Sequence, residues 1–402
     1  MNYEKNLNSF LKLGYYLDYT NSKFKFDYSN IDKKKYVNYE KEELISIGSN
    51  LLLNAITSRY KGNQRNIVPI SGGLDSRAVL SGLLMCTDAQ KIETYTFGTP
   101  GTLDYEIGNY IAKKIGTRHT SFSLDQYNYS TEDLIDISKR VDNQTVLFHH
   151  PPIKIIKDIY GGSVFWSGFL GETVAGAHLP SVEINNLTEA IKYFIKKNTF
   201  VKSIDLRSPE NKNFETMILY SANYNKNINP VERIDFDNRQ AKYIAPHVLM
   251  KGFEYVTPLA DKDWFDFMLS LDNTYRYNQN LYKRILSETF PFEFSLKTKT
   301  NFGLPLSASK FEIFIKRAHS KMNRILIGKN VNINYLDFNN EIRENKVFNK
   351  TIYENLSDLE NRKIVNWVDL NKIWQDHMNK NADYADAILV LCSLEIQMKA
   401  KE

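Results

Sequence analysis

Residues 66–85 read NIVPISGGLDSRAVLSGLLM, and this stretch decides the fold. A short apolar run at residues 66–70 is followed at once by a glycine-containing turn and then by a helical pattern over residues 76–85. Strand, tight turn and helix in this order are the beginning of a β-α-β unit. The stretch therefore predicts a parallel sheet flanked by helices, which is an α/β fold.

The neighbouring residues continue the same alternation. Apolar residues at helical spacing predict an amphipathic helix over residues 42–60, just before the first strand. Residues 91–98 (KIETYTFG) predict a second strand, and residues 104–115 predict the helix that follows it. A further strand is expected over residues 163–167, where it ends in a second glycine-bearing turn. The β-α-β-α order implies parallel strands.

The second half of the chain has a different pattern. Beyond about residue 185 the sequence consists of long helical segments, for example residues 261–271 and 385–398. Residues 1–45 lack a sustained helical period and contain strand-like fragments such as residues 23–28. We interpret residues 1–45 as a short N-terminal lead-in segment and residues 46–402 as one domain with a helical C-terminal half.

Composition and charge exclude several classes of protein. The net charge of +5 is spread along the 402 residues, which is too weak a signal for a nucleic-acid partner. Cys86 and Cys392 lie in apolar runs and indicate neither a disulfide framework nor a cysteine-based zinc site. No apolar run approaches the roughly 18 residues that a membrane span needs. We therefore expect a cytoplasmic protein without membrane or nucleic-acid partners.

The glycine turn suits a polyphosphate. It is the hexapeptide Ser71-Gly72-Gly73-Leu74-Asp75-Ser76. The two glycines free backbone N–H groups to face an anion, and the following helix adds the partial positive charge of its N-terminus. The hydroxyls of Ser71 and Ser76 can donate to phosphate oxygens. Asp75 would repel phosphates unless a cation such as Mg²⁺ lies between them, although a helix N-cap role is the structural alternative for this residue.

This hexapeptide resembles the SGGxDS signature of the asparagine synthetase and β-lactam synthetase family of N-type ATP pyrophosphatases. The resemblance continues in residues 95–98, which are similar to the family strand whose backbone meets adenine and so indicate Phe97 and Gly98 as nucleotide-binding residues. Residues 104–119 match the family's next helix and turn. Residues 167–172 (SGFLGE) stand where the family has SGxGxD, which indicates Gly168 as a nucleotide contact and Glu172 as a second carboxylate for magnesium.

Three looser matches extend the likeness through roughly residues 40–396. Residues 252–261 resemble the family's GxExRxPFLD, residues 282–286 its K-x-x-LR segment, and residues 299–305 its KxGFxxP. The resemblance implies the fold of the adenine nucleotide alpha hydrolase-like (HUP-type) proteins. It also implies ATP and Mg²⁺ as cofactors.

The chemistry that the resemblance implies is amide-bond formation. ATP activates a substrate carboxylate as an acyl-adenylate with release of pyrophosphate, and ammonia or an amine then displaces AMP. Asp75 and Glu172 would hold Mg²⁺ against the phosphates. Lys299 would face the α-phosphate or the oxyanion of the second step, although Lys297 competes with it for this role in the sequence register.

Several residues depart from the family pattern or carry weaker signals. Phe169 stands where the family often has Glu or Tyr, and phenylalanine cannot deprotonate an incoming amine. His119 is expected in the turn after the helix, with a structural role. The adjacent His149 and His150 could line the substrate side but form a poor metal motif. Asp104 is interpreted as a helix cap.

The source of nitrogen stays open. Family members that use glutamine begin with a catalytic cysteine after Met1 and carry a glutaminase domain, whereas Asn2 follows Met1 here. The resemblance then implies free ammonia, a separate glutaminase partner or an amine on the substrate, and we favour an amine-bearing substrate. A homodimer is also open. The alternatives are a non-catalytic ATP-binding homologue, which Phe169 and Glu172 make conceivable, and a pyrophosphate-loop enzyme acting on tRNA.

Overall fold

One parallel five-stranded sheet forms the centre of the computed structural model, which describes residues 3–184, 186–210, 212–220, 227–327 and 335–402. The strands are β1 (Asn66–Pro69), β2 (Ile92–Gly98), β3 (Arg118–Ser123), β4 (Val164–Trp166) and β5 (Glu254–Val256). Their order across the sheet is β3-β2-β1-β4-β5. Every neighbouring pair is parallel, so the predicted α/β class with a parallel sheet is confirmed.

The order of the strands creates a switch point between β1 and β4. The chain builds outward from β1 through β2 to β3, and then crosses to the other side of β1 to add β4 and β5. In β1, Val68 pairs with Thr94 of β2, and Ile67 pairs with Phe165 of β4. Connections that leave the two central strands in opposite directions open a crevice beyond their carboxyl ends, and this is where ligands bind in such sheets.

Helices surround the sheet and make up most of the second half of the chain. Over the described residues the α-helices are α1 (Tyr3–Leu13), α2 (Lys41–Thr57), α3 (Asp75–Leu84), α4 (Leu103–Ile115), α5 (Thr131–Arg140), α6 (Ile153–Tyr160), α7 (Gly171–Val174), α8 (Leu187–Asn198), α9 (Pro230–Ile234), α10 (Ala245–Val248), α11 (Lys262–Ser270), α12 (Asn273–Arg276), α13 (Asn280–Thr289), α14 (Pro291–Phe294), α15 (Lys310–Ile327), α16 (Phe338–Glu344), α17 (Lys346–Arg362), α18 (Leu370–Met378) and α19 (Ala385–Lys399). A π-helical segment, Asp235–Ile244, joins α9 to α10. Short 3₁₀ turns occur at Ala89–Lys91, Leu124–Gln126, Glu215–Met217, Pro258–Ala260 and Tyr277–Gln279.

Each strand and helix predicted around the glycine turn is present within a few residues of its expected ends. The predicted helix over residues 42–60 is α2, which begins at a capping box between Glu40 and Glu43 and buries Leu44, Leu52 and Ile56. The prediction of the sheet was incomplete, because the strands β3 and β5 were not recognised in the sequence. The sequence of β3, RHTSFS, is mostly polar and largely accessible at the sheet edge, so it lacks the apolar run that marked the other strands.

The N-terminal residues also differ from the prediction. Residues 3–13 form helix α1, although no sustained helical period was recognised there, because the polar Asn8 and Ser9 are buried beside Leu7, Phe10, Leu11 and Leu13 and interrupt the apolar pattern. Residues 23–28 run without regular structure and form no strand. The lead-in residues nevertheless belong to the core. Tyr28 packs in the cluster around the sheet, and α1 packs in the cluster around α19.

Two large apolar clusters hold the helices and the sheet together. The first surrounds β1, α3 and α13 and includes Val68, Trp166 and Ile285. The second is centred on α19, whose residues are buried on nearly every side as expected for an internal helix. In the part of the chain that the structure describes, no helix combines the length and the apolar character needed to cross a membrane.

Candidate active site at the β1–β4 crevice

The glycine turn lies at the carboxyl end of β1 and leads directly into α3, which begins at Asp75. The hydroxyl of Ser71 accepts the backbone N–H of Gly73 at 3.2 Å. The backbone N–H of Ser71 donates to the hydroxyl oxygen of Ser76 at 3.4 Å. These contacts curl the turn around the N-terminus of a ten-residue helix, which is the arrangement that favours anions.

The second glycine turn packs directly onto the first. A Cβ atom built on Gly171 would lie 2.3 Å from Cγ of Asp75, and one built on Gly168 would lie 2.7 Å from Cβ of Asp75. Neither position tolerates a side chain without moving Asp75. Leu170, between them, has a left-handed backbone with φ of 73°, which is unusual for a residue other than glycine. The glycines of SGFLGE therefore allow the turn after β4 to pack closely against the turn after β1.

Asp75 is the point where the two turns meet. Its Oδ2 accepts the backbone N–H of Glu172 at 2.7 Å, and its Oδ1 accepts the hydroxyl of Tyr282 at 3.0 Å. Burial and, to a lesser extent, the negative charge of Glu172 raise the pKa of Asp75 to about 7, although the two hydrogen bonds act in the opposite direction. A divalent cation would offset the effect of the Glu172 charge on Asp75, and carboxylate oxygens are ligands that Mg²⁺ accepts, so these residues fit Mg²⁺.

Lys299 lies across the first turn. Its backbone N–H donates to the carbonyl of Gly72 at 2.9 Å, and its ammonium pairs with the carboxylate of Asp104. A Cβ atom on Gly72 would lie 2.9 Å from Cβ of Lys299, so glycine is required for this contact. Asp104 lies in the first turn of α4 but is not its N-cap, which is Thr102. The interpretation of Asp104 as a helix cap was therefore wrong.

The competing lysine points elsewhere. The ammonium of Lys297 lies 5.1 Å from the centre of the Tyr110 ring, and the Lys297 carbonyl accepts a hydrogen bond from Nη2 of Arg77 at 2.6 Å. Lys299 lines the central cavity, whereas Lys297 does not. Of the two lysines, Lys299 is therefore the one placed at the cavity.

A cavity of about 750 Å³ lies between the two turns and the surrounding helices. The sequence-predicted site residues that line it are Ser71, Gly73, Leu74, Asp75, Ser76, Phe97, Gly168, Glu172 and Lys299. Two others do not reach its surface. Gly72 is buried beneath Lys299, and Gly98 ends β2 next to Phe97.

One wall of the cavity consists of neutral imidazoles and aromatic rings. The ring of His149 stacks on Tyr335 at 4.9 Å between centroids, and the rings of His150 and His247 lie 4.1 Å apart. Burial lowers the pKa of His149 to about 4 and that of His150 to about 3. Both are therefore uncharged at neutral pH. Within the described ranges, no group of three or more His, Cys, Asp or Glu residues is arranged to hold a metal ion.

His119 and Phe169 have clear packing roles. His119 lies in β3, so the predicted turn position was wrong, and its ring contacts the Thr94 hydroxyl at 2.9 Å and Oδ1 of Asn109 at 3.1 Å. Phe169 lines the cavity and packs edge-on against Phe24 at 4.7 Å. Phe24, which belongs to the N-terminal lead-in segment, thus packs against the cavity wall at Phe169. Phe169 is the residue that stands where the resembled family often has Glu or Tyr.

The residues that carry the first glycine turn match a known family. The model of the asparagine synthase family matches residues 49–149, a segment that runs from α2 through β3 to His149. Over these residues the chain is similar to the asparagine synthase family. Asparagine synthases are ATP-dependent ligases, so the match indicates an enzyme with ATP-dependent amidation chemistry in general. A search of curated proteins finds no match to the chain.

Several residues outside the matched asparagine synthase segment complete the site. Glu172, Tyr282 and Lys299 reach Asp75 or Gly72 from segments that are far away in sequence. Tyr282 was not recognised as a site residue, although it opens one of the segments that resemble the asparagine synthetase family. Arg239 was also missed, because nothing in its local sequence marks it as lining the cavity.

Proposed function

We propose that this protein forms an amide bond in two steps that consume ATP. A substrate carboxylate first attacks the α-phosphorus of ATP, which gives an acyl-adenylate and pyrophosphate. Ammonia or an amine then attacks the acyl carbon, and AMP leaves. The observation that carries the proposal is the contact between the two glycine turns, in which Asp75 accepts the N–H of Glu172 at the start of α3.

In the first step, negative charge develops on the departing pyrophosphate. The turn from Ser71 to Ser76 offers backbone N–H groups, hydroxyls and the positive end of α3 to the departing phosphates. Asp75 and Glu172 would hold Mg²⁺, which neutralises phosphate charge when bound. The raised pKa of Asp75 supports this role, because a carboxyl that resists ionisation by itself gains most from a cation nearby.

Lys299 supplies positive charge on the other side of the turn. Its backbone is fixed to Gly72, and the Asp104 carboxylate orients its ammonium. In this position it would stabilise the α-phosphate during the first step and the oxyanion during the second. Asp104 acts through Lys299, so it is a positioning residue.

The second step needs a neutral nitrogen nucleophile. Phe169, which packs against Phe24, stands where the family often has Glu or Tyr, and the histidines of the cavity wall have strongly lowered pKa values. Such imidazoles are weak bases. We therefore propose that the nucleophile enters as free ammonia or as an uncharged amine, delivered by a partner glutaminase or carried on the substrate itself.

The direct test is exchange of labelled pyrophosphate into ATP in the presence of candidate carboxylates. The proposal predicts carboxylate-dependent exchange, AMP as the nucleotide product, and a hydroxamate when hydroxylamine replaces the amine. The Asp75→Asn variant is the control, and it should lose exchange by at least about 100-fold. Formation of ADP would contradict adenylation. Nucleotide binding without any exchange would instead support a non-catalytic homologue, which Phe169 makes the second candidate.

A further inference from the structure

The carboxylates that line the cavity are held in different ways. Asp75 accepts two hydrogen bonds, and Asp104 is paired with Lys299. Glu172 is exposed at the cavity, and its carboxylate makes no hydrogen bond or ion pair with any described residue. The position of the Glu172 carboxylate is therefore set by the backbone that carries it.

That backbone is helix α7, which consists of only four residues. A helix of this length is not stable by itself, so its position depends on the contacts at its two ends. At the beginning, the N–H of Glu172 donates to Asp75, and Gly171 leaves no room for a side chain against Asp75. At the end, the carbonyl oxygen of Val174 is bound by a side chain from another part of the chain, Arg276 of α12.

Arg276 grips the end of α7 with a fully buried guanidinium. Its Nη2 and Nε atoms donate to the carbonyl oxygen of Val174 at 2.8 Å and 3.2 Å. Its Nη1 atom donates to Oε2 of Glu232 in α9 at 2.9 Å, and Nη2 also donates to Oε1 of Glu232. The side chains of Arg276 and Glu232 are 1% and 2% exposed. The planar guanidinium is thus fixed by a two-point contact with a carboxylate, and this contact aims it at Val174.

The backbone of Arg276 supports the same end of α7. A Cβ atom built on Gly176 would lie 2.6 Å from the carbonyl oxygen of Arg276, and Gly176 has a left-handed backbone with φ of 95°. The chain that leaves α7 therefore turns directly against Arg276. Both the side chain and the main chain of Arg276 fix the point where α7 ends.

We propose that Arg276 is a positioning residue for Glu172, the second carboxylate of the Mg²⁺ site. Arg276 touches neither substrate nor metal, and it acts through the carbonyl of Val174 on the short helix that carries Glu172. Glu232 supplies the negative charge that keeps the guanidinium in the protein interior and orients it. The affinity of the site for a divalent cation then depends on an ion pair in the core. This inference rests on the proposed function, because that function assigns Glu172 to the metal.

The test separates metal binding from nucleotide binding and needs no turnover. Calorimetry on the full chain measures the affinity for α,β-methylene-ATP once with Mn²⁺ and once with EDTA, and the ratio of the two affinities is the contribution of the metal. Mn²⁺ should tighten binding to the unmodified protein. In the double variant Arg276→Met/Glu232→Leu this contribution should fall by roughly 10-fold to 100-fold, as is usual when the support of a metal ligand is removed. The affinity in EDTA should stay the same, since the turn from Ser71 to Ser76 is not altered.

The two charges are replaced together for a physical reason. Apolar residues of similar size often substitute for a buried ion pair without loss of stability, whereas a single buried charge left behind is strongly destabilising. Arg276→Lys is the second variant. It keeps a positive charge beside Glu232 but lacks the planar fork that binds Val174 and Glu232 at once, so the contribution of the metal should fall in this variant as well.

Arg362→Met/Glu395→Leu is the matched control. It removes another ion pair with a fully buried carboxylate, between α17 and α19, and neither residue lines the cavity. The contribution of the metal should persist in this control. An equal loss in the control would assign the effect to general stability and overturn the inference.

The remaining outcomes distinguish the inference from the proposed function. An unchanged contribution of the metal in the double variant would overturn the role of Arg276 and leave the proposed amide chemistry standing. If the double variant fails to fold, an unchanged contribution in Arg276→Lys has the same meaning. A Mn²⁺ effect that is already absent in the unmodified protein would overturn the metal site and the inference together. A normal Mn²⁺ effect without pyrophosphate exchange would contradict the proposed catalysis alone.

Discussion

Glu172 donates its backbone N–H to Oδ2 of Asp75 across 2.7 Å, although the two residues are 97 positions apart in the chain. This contact joins the turn after β4 to the turn after β1 at the crevice where the sheet reverses its order. It places two acidic residues beside the N-terminus of α3. The proposed chemistry depends on this meeting of the two turns, and the following predictions test its parts.

The close packing of the two turns should make Gly171 intolerant of any side chain. In Gly171→Ala the new Cβ atom would lie 2.3 Å from Cγ of Asp75 and would push the turns apart. We expect a loss of about 1–3 kcal/mol in the free energy of unfolding and roughly 100-fold in pyrophosphate exchange. Denaturant unfolding and exchange assays measure both. Gly62→Ala is the control, since its Cβ atom would meet nothing nearer than 3.9 Å. Full exchange in Gly171→Ala would show that the contact is unimportant.

Lys299 and Lys297 provide a matched pair of substitutions. Lys299→Ala removes the ammonium that lines the cavity, so amide formation should fall by about 10²–10³-fold. Lys297→Ala removes an ammonium that lies over Tyr110, outside the cavity, and should change the rate only a few-fold. Product formation under saturating ATP is the measurement. Equal effects of the two substitutions would refute the assignment of Lys299.

Tyr282→Phe should change the pH dependence of the reaction. The Tyr282 hydroxyl donates to Asp75 and lowers the pKa of that carboxyl, which burial has raised to about 7. Without this donor the pKa of Asp75 rises, and Mg²⁺ must compete with a proton at higher pH. The acidic limb of exchange activity should therefore move upward by roughly one pH unit. Tyr353→Phe, at a half-exposed position, serves as the control. An unshifted limb in Tyr282→Phe would show that this hydrogen bond does not tune Asp75.

The buried histidines should make the protein sensitive to acid. Burial lowers the pKa of His149 from 6.5 to about 4, so the unfolded chain binds a proton that the folded protein excludes. The stability that His149 contributes is complete above pH 6.5 and is lost as the pH falls toward 4. His149→Phe can keep the ring stacked on Tyr335 without this titration. Its melting temperature should fall less between pH 7 and pH 5 than that of the unmodified protein. An identical fall in both would contradict the expected role of His149.

The local part of the fold could be predicted because its signals are local. Residues 66–85 contain a strand, a glycine turn and a helix within one short stretch, and the structure has all three. The edge strand β3 escaped recognition, since its polar sequence carries no apolar run. The π-helical geometry of Asp235–Ile244 could likewise not be predicted from its sequence. Helices are identified in a sequence by a period of 3.6 residues, which is the period of an α-helix.

The site could be predicted only as far as family resemblance extends. The hexapeptide and Glu172 are marked by glycines at fixed spacing, and these glycines prove to be demanded by contacts at Gly72, Gly168 and Gly171. Tyr282 and Arg239 could not be found in this way. Each reaches the cavity region through tertiary packing: Tyr282 opens a segment that resembles the family but is not itself part of the K-x-x-LR pattern, and nothing in the sequence around Arg239 marks it.

The central claim is that Asp75 and Glu172 together hold a divalent cation on the phosphates of ATP. The most direct measurement is a crystal structure with Mn²⁺ and α,β-methylene-ATP, in which anomalous scattering locates the metal. The account predicts a Mn²⁺ peak bound by both carboxylates and by phosphate oxygens in the turn at Ser71 to Ser76. Nucleotide in the cavity with both carboxylates away from any metal peak would contradict it.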